Sequence, residues 1–240
     1  MHKVYNILGI DLGGCMSGNS AYIYAEITPD NFRVIETIKE PRHKDHISCQ
    51  NYISDLFERI EVDAIAIDSP LSLPLPLLRP GSKGAEREGA GEIINPYLFR
   101  FTDYFLYKQF GLRPMPPAGD RIGRLTARAI ALLHRFDYSF PYITIGQKKV
   151  PIYEVYPKQI AQELRLSDYK KEPSQLFKAI NCSPFQADEH LLDALLAAFA
   201  GYHILLGNTL DLPDEAYTEG WCFPLTMGRK AVKPVDTPSR

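Results

Sequence analysis

Asp193 stands where an ionised side chain is out of place. In Leu191-Leu192-Asp193-Ala194-Leu195-Leu196-Ala197-Ala198-Phe199-Ala200 the apolar residues run all the way round a helix, so burial is expected. An acid there loses hydration worth several kcal/mol unless something replaces the water. One helical turn away lie Glu189, His190, Leu196 and Ala197, so neither Lys nor Arg is within helical reach. Asp193 is therefore either paired with His190 or a distant Arg, or it is a metal ligand or catalytic carboxylate. Asp11 closes the apolar run Ile7-Leu8-Gly9-Ile10, and Asp68 closes Ala64-Ile65-Ala66-Ile67. Both runs read as central strands, and open α/β sheets bind ligands beyond the carboxyl ends of such strands. One Asp of this kind alone reads as a turn cap. Two of them, with a third acid in a buried helix, read as a shared site.

Further charged residues are open to two readings each. Glu154, inside Ile152–Tyr156, either faces solvent on an edge strand or joins the acid cluster. Asp188 precedes the helix of Asp193 and suits a helix cap, and the role of His190 is left open beside it. Arg121, Arg124 and Arg128 recur on one helix face, which is either solvated or holds phosphates. Arg100 and Asp103, at i and i+3, form a helix salt bridge or offer a cation to substrate. Lys83 and Arg87 lie in a loop rooted at Asp68 and are the cations best placed to reach over the acids.

The elements that must position these groups are legible in outline. Strand-like runs at Ile7–Asp11, Ala21–Ile27 and Phe32–Ile38 succeed one another across short turns, an antiparallel meander. Ile47, Tyr52, Ile53, Leu56, Phe57 and Ile60 predict an amphipathic helix, followed by the strand Val62–Asp68. An apolar strand after a helix suggests parallel pairing with both faces covered. Residues 70–91, rich in Pro and Gly, predict an irregular excursion, either a lid or a cover packed by its leucines. Helices are expected at about 96–110, 120–136, 158–166 and 183–206, with a strand at 151–157 and a last short strand or an extended cover near 218–224. The tail 226–240 is expected to be loose. The order βββ-α-β-α-β-α reads as one domain, residues 1–240, with a mixed sheet.

Composition narrows the class. With 240 residues, 45% apolar and 23% charged, the chain is an ordinary globular protein, and a chain of this length buries roughly 70% of its unfolded surface without needing a disulfide or metal staple. A net charge of −2 excludes a uniformly basic coat for duplex binding but not a local basic groove. Cys15, Cys49, Cys182 and Cys222 form no CxxC pair, against a zinc ribbon or disulfide scaffold. The N-terminal apolar run is too short for a signal-peptide core. No apolar stretch reaches 18 residues, so no membrane span is expected and a cytoplasmic location is.

The carboxylate pattern resembles a known family. Gly9-Ile10-Asp11, Ile67-Asp68-Ser69-Pro70, Arg100-Phe101-Thr102-Asp103, Glu154-Val155-Tyr156-Pro157, Asp193-Ala194-Leu195 and Glu219-Gly220-Trp221 with Pro224 are similar to segments of an uncharacterised domain family described as predicted nucleases of the ribonuclease H-like fold. The Asp193 helix also looks like the end of the Holliday-junction resolvase site, His190 lying one turn before its last Asp. The resemblance implies a ribonuclease H-like mixed sheet with flanking helices, three antiparallel strands preceding the parallel ones. It implies hydrolysis of nucleic-acid phosphodiesters through Mg²⁺ or Mn²⁺ held by Asp11, Asp68 and Asp193, with Glu154 as a further catalytic acid. Lys83, Arg87, Arg100, Arg121 and Arg124 would then meet substrate. Family members often carry a Lys shortly after the first Asp, where this chain has Leu12-Gly13-Gly14-Cys15. Gly9-Ile10-Asp11-Leu12-Gly13-Gly14 also looks like the phosphate hairpin of sugar kinases and actin-like ATPases, which implies an ATP-binding phosphotransferase as the alternative. A non-catalytic binding module on the same fold is the third reading.

Overall fold

The three acids are carried to one place by a sheet whose middle strands run parallel. The computed structural model describes residues 2–84, 86–89, 91–210, 212, 214–217 and 219. Strands β1 (Tyr5–Asp11), β2 (Ala21–Thr28) and β3 (Asn31–Lys39) form the expected antiparallel meander. Thr28 Oγ1 accepts the Asn31 amide at 3.1 Å and closes the β2–β3 turn. Helix α1 (His46–Arg59) is capped by Asp45, whose Oδ1 accepts the Ser48 amide at 2.8 Å. It returns the chain to β4 (Ala64–Asp68), which pairs parallel with β1. Helices α2 (Leu75–Leu78), α3 (Phe101–Phe110) and α4 (Asp120–Leu133) follow. A hairpin of β5 (Asp137–Ser139) and β6 (Tyr142–Ile145) then leads antiparallel into β7 (Lys148–Glu154), which lies parallel to β4. Helices α5 (Pro157–Glu163), α6 (Pro173–Ala179), α7 (Glu189–Leu205) and α8 (Asp214–Tyr217) complete the described chain. The sheet order β3-β2-β1-β4-β7-β6-β5 sets the antiparallel meander beside the parallel strands β1, β4 and β7, with the β5–β6 hairpin antiparallel at the far edge, a mixed sheet of the kind that the ribonuclease H-like resemblance implies.

Side-chain alternation divides the core between two faces. Leu8, Ile10, Ile65, Ile67 and Ile152 meet Ile53, Phe57 and Leu132 of α1 and α4. Ile7, Ala64 and Ala66 face α7. Small residues let α7 lie unusually close: a Cβ on Gly9 would fall 2.7 Å from Ala198 Cβ, and one on Gly201 2.9 Å from Ala66 Cβ. Gly9 shares its face with Asp11, and Ala64 and Ala66 share theirs with Asp68, so both acids leave the sheet toward α7.

Several sequence expectations are corrected in detail. The β5–β6 hairpin and α6 were not foreseen, since strands of three and four partly exposed residues carry no alternation long enough to read. The strand near 151–157 begins at Lys148, and Pro157 opens α5 instead of ending the strand. Helix α3 starts at Phe101, and α7 at Glu189 with Asp188 as its cap, Oδ1 accepting the Leu191 amide at 3.0 Å. Within the excursion 70–91, α2 is followed by irregular chain with positive φ at Gly81, Gly84, Gly89 and Gly91. Apart from Glu219, the strand expected near 218–224 lies outside the described residues, as does the tail 226–240.

Candidate metal centre

Asp11, Asp68 and Asp193 line one cavity of about 270 Å³ at the carboxyl ends of β1 and β4. Asp11 and Asp68 are register partners on adjacent parallel strands, and α7 brings Asp193 in from above them. The acids do not form a closed trio. Among the described residues, three metal-ligating atoms lie within 4.8 Å of one another only at Glu40, His43 and Cys49, so the three aspartates stand wider than that.

Each acid has a different neighbour. Asp11 Oδ2 lies 2.7 Å from His190 Nδ1. His190 thus pairs with Asp11 and not with Asp193, the local partner that helical spacing offered. Asp193, 8% exposed, accepts a short hydrogen bond from the Tyr169 hydroxyl and lies 2.5 Å from the Lys170 ammonium. Among the described residues none donates a hydrogen bond to the Asp68 carboxylate.

The electrostatics follow from this geometry. Burial pushes the Asp11 carboxyl up to about 6; the His190 hydrogen bond opposes the rise and the charge of Asp193 adds to it. Burial, then the charges of Asp11 and Asp193, hold Asp68 well above the ordinary carboxylate range. Burial works against the Lys170 ammonium, yet the Asp193 carboxylate keeps it above its usual range. The arrangement is short of positive charge at Asp68 and has hard oxygen donors exposed to a cavity. This donor chemistry fits Mg²⁺ or Mn²⁺, which take carboxylates and waters.

The other candidates are placed differently. Glu154 follows Ile152 onto the α1–α4 face of the sheet, away from α7, yet it lines the same cavity as the three aspartates. Both of its oxygens are held by Arg100, at 2.6 and 2.5 Å, and Oε2 also accepts the Leu71 amide at 2.8 Å. Arg100, 1% exposed, pairs as well with Asp103 at 2.9 Å. It lines the base of the cavity as part of this buried network, not as a free cation.

Arg87 does not reach over the acids. Its side chain is buried 4.0 Å from Glu219, against the Tyr104 ring. Glu219 also accepts the Leu75 amide at 2.9 Å and the Phe101 amide, so this carboxylate fastens the excursion to the body. Lys83 is exposed. Arg121 and Arg124 are exposed on α4, whose Ile122 and Leu125 line the cavity. Arg128, third of that stripe, is buried against Glu40 at 2.6 Å.

Lys158, Tyr169 and Lys170 line the same cavity and were missed by the sequence reading. Tyr169 and Lys170 lie between α5 and α6, where no periodicity marks them. Only the unpaired charge of Asp193 signals that a cation must arrive from elsewhere. The Gly13-Gly14 turn is already engaged: the Gly13 amide donates to Ser20 Oγ at 3.1 Å, and its carbonyl accepts from Arg128.

No protein-family model matches the chain, and no curated protein sequence does. Among solved structures it is similar to RuvC of Thermus thermophilus, at 14% identity and TM-score 0.42, over 83% of this chain and 93% of that one. It is also similar to T. thermophilus RuvC in complex with a Holliday junction substrate, at 14% identity and TM-score 0.41, over 84% and 93% of the two chains. A ROK family protein from Streptococcus pneumoniae in complex with sucrose follows at 9% identity and TM-score 0.26, over 67% of this chain and 37% of that one.

Proposed function

We propose that the chain is a divalent-metal-dependent nuclease hydrolysing phosphodiester bonds of nucleic acid at the Asp11–Asp68–Asp193 cavity. The observation that carries this reading is the Asp68 carboxylate, which faces the cavity between two other acids with no hydrogen-bond donor among the described residues. Buried carboxylates that share one cavity raise one another's pKa, and a hard cation is the ligand that relieves them. Mg²⁺ or Mn²⁺ bound there would polarise a phosphoryl oxygen and lower the pKa of a bound water.

The chain's own groups then have definite tasks. Asp11, Asp68 and Asp193 hold the metal. His190, fixed by Asp11, stands beside the acids with a ring nitrogen able to carry a proton. Lys170 neutralises Asp193 in the free protein and offers an ammonium to a substrate phosphate. Lys158 and the exposed Arg121 and Arg124 flank the cavity and supply sequence-independent backbone contacts. The phosphotransferase alternative is less well supported, because the Gly13 amide and carbonyl that would cradle phosphate are bonded internally.

The test is cleavage of labelled single-stranded DNA, duplex DNA, a four-way junction and RNA, with and without Mg²⁺ or Mn²⁺. Metal-dependent cleavage that Asp68→Asn and Asp193→Asn each abolish, in folded protein, is the expected result. Absence of cleavage on all four substrates, or cleavage indifferent to metal, overturns the reading.

A further inference from the structure

The cavity that holds the three acids also has an apolar side. Leu106 of α3, Pro114 and Met115 of the α3–α4 connection, and Ile122 and Leu125 of α4 line it together with the aspartates. Met115 is 53% exposed, and the chain around it is stiff. Pro114, Pro116 and Pro117 each restrict φ, and Met115, standing before a proline, is biased to extended backbone. The Gly119 amide donates to the Pro116 carbonyl at 2.9 Å, and a Cβ on Gly119 would fall 2.7 Å from the Pro116 ring. The segment is therefore folded tightly onto the start of α4, and it holds a large apolar side chain at the cavity and in contact with solvent.

Cations accompany this apolar side. Arg113 adjoins Pro114, and Arg121 and Arg124 bracket Ile122 on α4; all three are exposed, and among the described residues none has an ion-pair partner. The acids lie deep, the Asp11 and Asp193 side chains being only 14% and 12% exposed. A phosphate thus reaches them by entering the cavity, and a phosphodiester that enters brings its nucleoside along. One ligand satisfies all of these groups at once: a nucleotide, with a phosphate for the acids' metal and the arginines and a flat base for the apolar side. In a duplex the faces of each base are covered by its neighbours in the stack, whereas an unpaired strand leaves them free.

We propose, on the nuclease reading of this same cavity, that it takes an unpaired nucleotide of a single-stranded nucleic acid, the base laid against Met115, Ile122 and Leu125 and the phosphate directed to Asp11, Asp68 and Asp193. Arg113, Arg121 and Arg124 meet the phosphates that flank it. Every base has an apolar face, so selection is for an unpaired strand and not for a sequence. A duplex is admitted only where a nucleotide leaves the stack, which costs its stacking and pairing.

The test is equilibrium binding of the full chain by fluorescence anisotropy, with Ca²⁺ replacing Mg²⁺ so that the probes are not consumed. The probes are a labelled single-stranded DNA of mixed sequence, the same strand in a blunt duplex, and an abasic strand of equal length that keeps the phosphates and lacks the bases. The single strand should bind roughly 10-fold or more tighter than either of the others. Met115→Ser, at an exposed position, and Leu125→Ala should each weaken single-strand binding by roughly 5-fold or more and leave the abasic strand unaffected. The salt dependence should not change in these two variants, since no charge is removed. Arg121→Ala combined with Arg124→Ala should instead weaken the single strand and the abasic strand alike and flatten the salt dependence. A single strand bound no tighter than the duplex or than the abasic strand, or the full preference kept in folded Met115→Ser, overturns the proposal and leaves the nuclease reading standing. Absence of binding to all three probes overturns both.

Discussion

Lys170 Nζ lies 2.5 Å from Asp193 Oδ2, on the wall of the cavity that also holds Asp11 and Asp68. The pair answers the question the sequence poses, how an acid survives in an apolar helix. It also places the ammonium where a metal ion would compete with it. Lys170→Met should lower the stability of the metal-free protein by roughly 1–2 kcal/mol. That is less than for a buried pair, because Lys170 remains over a third exposed. The same change should enlarge the rise in melting temperature produced by Mn²⁺, since Asp193 is left without a counter-charge. Thermal melts with and without Mn²⁺ test this. An Mn²⁺ shift equal to that of wild type would show that Lys170 does not compete for the site.

The raised carboxyls make a pH signature whose sign is fixed. Asp11 titrates near 3.8 unfolded and at about 6 folded, so between these values the unfolded chain releases a proton that the folded chain keeps. Its contribution to the stability of the metal-free protein is therefore fully present below about pH 4 and lost as pH rises through about 6, on the order of 3 kcal/mol. Asp68, also raised by burial, acts in the same direction. His203 acts oppositely: burial pushes its ring down to about 4, so its contribution is present above about 6.5 and lost on acidification. Asp11→Asn, which leaves His203 unopposed, should thus lose stability more steeply than wild type between pH 6 and 4. Urea unfolding across that range reads the difference. Saturating Mn²⁺ should reverse the Asp11 slope in wild type, because the metal requires ionised carboxylates.

Glu154 and Arg100 should behave as structural partners. Arg100→Met leaves Glu154 and Asp103 buried without their cation, with an expected loss of about 3–5 kcal/mol in chemical denaturation. Glu154→Gln should also destabilise, yet retain the Mn²⁺-dependent rise in melting temperature that Asp68→Asn removes. Loss of that rise in Glu154→Gln would instead assign this carboxylate to the metal.

The sequence carried the site's acids and little of its charge balance. Asp11 and Asp68 were readable because each ends an apolar run, and Asp193 because its helix has no polar face; all three signals are local. The meander, α1, β4 and α7 were legible for the same reason, long periodic segments of one kind. Lys170 and Tyr169 reach Asp193 from a segment without periodicity, so only the folded chain reveals them. Arg87 and Arg100 looked available because sequence spacing cannot show that Glu219 and Glu154 meet them from far along the chain.

Gly9 links the packing of the core to the site. A Cβ there would lie 2.7 Å from Ala198 Cβ and closer still to the Ala194 carbonyl, so Gly9→Ala must lift α7 from β1. Overpacking of this kind costs typically about 1–3 kcal/mol. The larger consequence is positional: Gly9 is two residues from Asp11, and Ala194 is next to Asp193, so the lift separates two of the three acids directly. Mn²⁺ affinity should fall in Gly9→Ala although every carboxylate is present. Gly201→Ala provides the comparison, since its Cβ would lie 2.9 Å from Ala66 Cβ. It sits eight residues beyond Asp193, roughly 12 Å along the helix. It should lose comparable stability while disturbing metal binding far less. Isothermal titration of Mn²⁺ into both variants, alongside denaturant unfolding, separates the two effects. Equal losses of affinity would mean that α7 moves as a rigid body, and unchanged affinity in Gly9→Ala would break the link between this close contact and the metal centre.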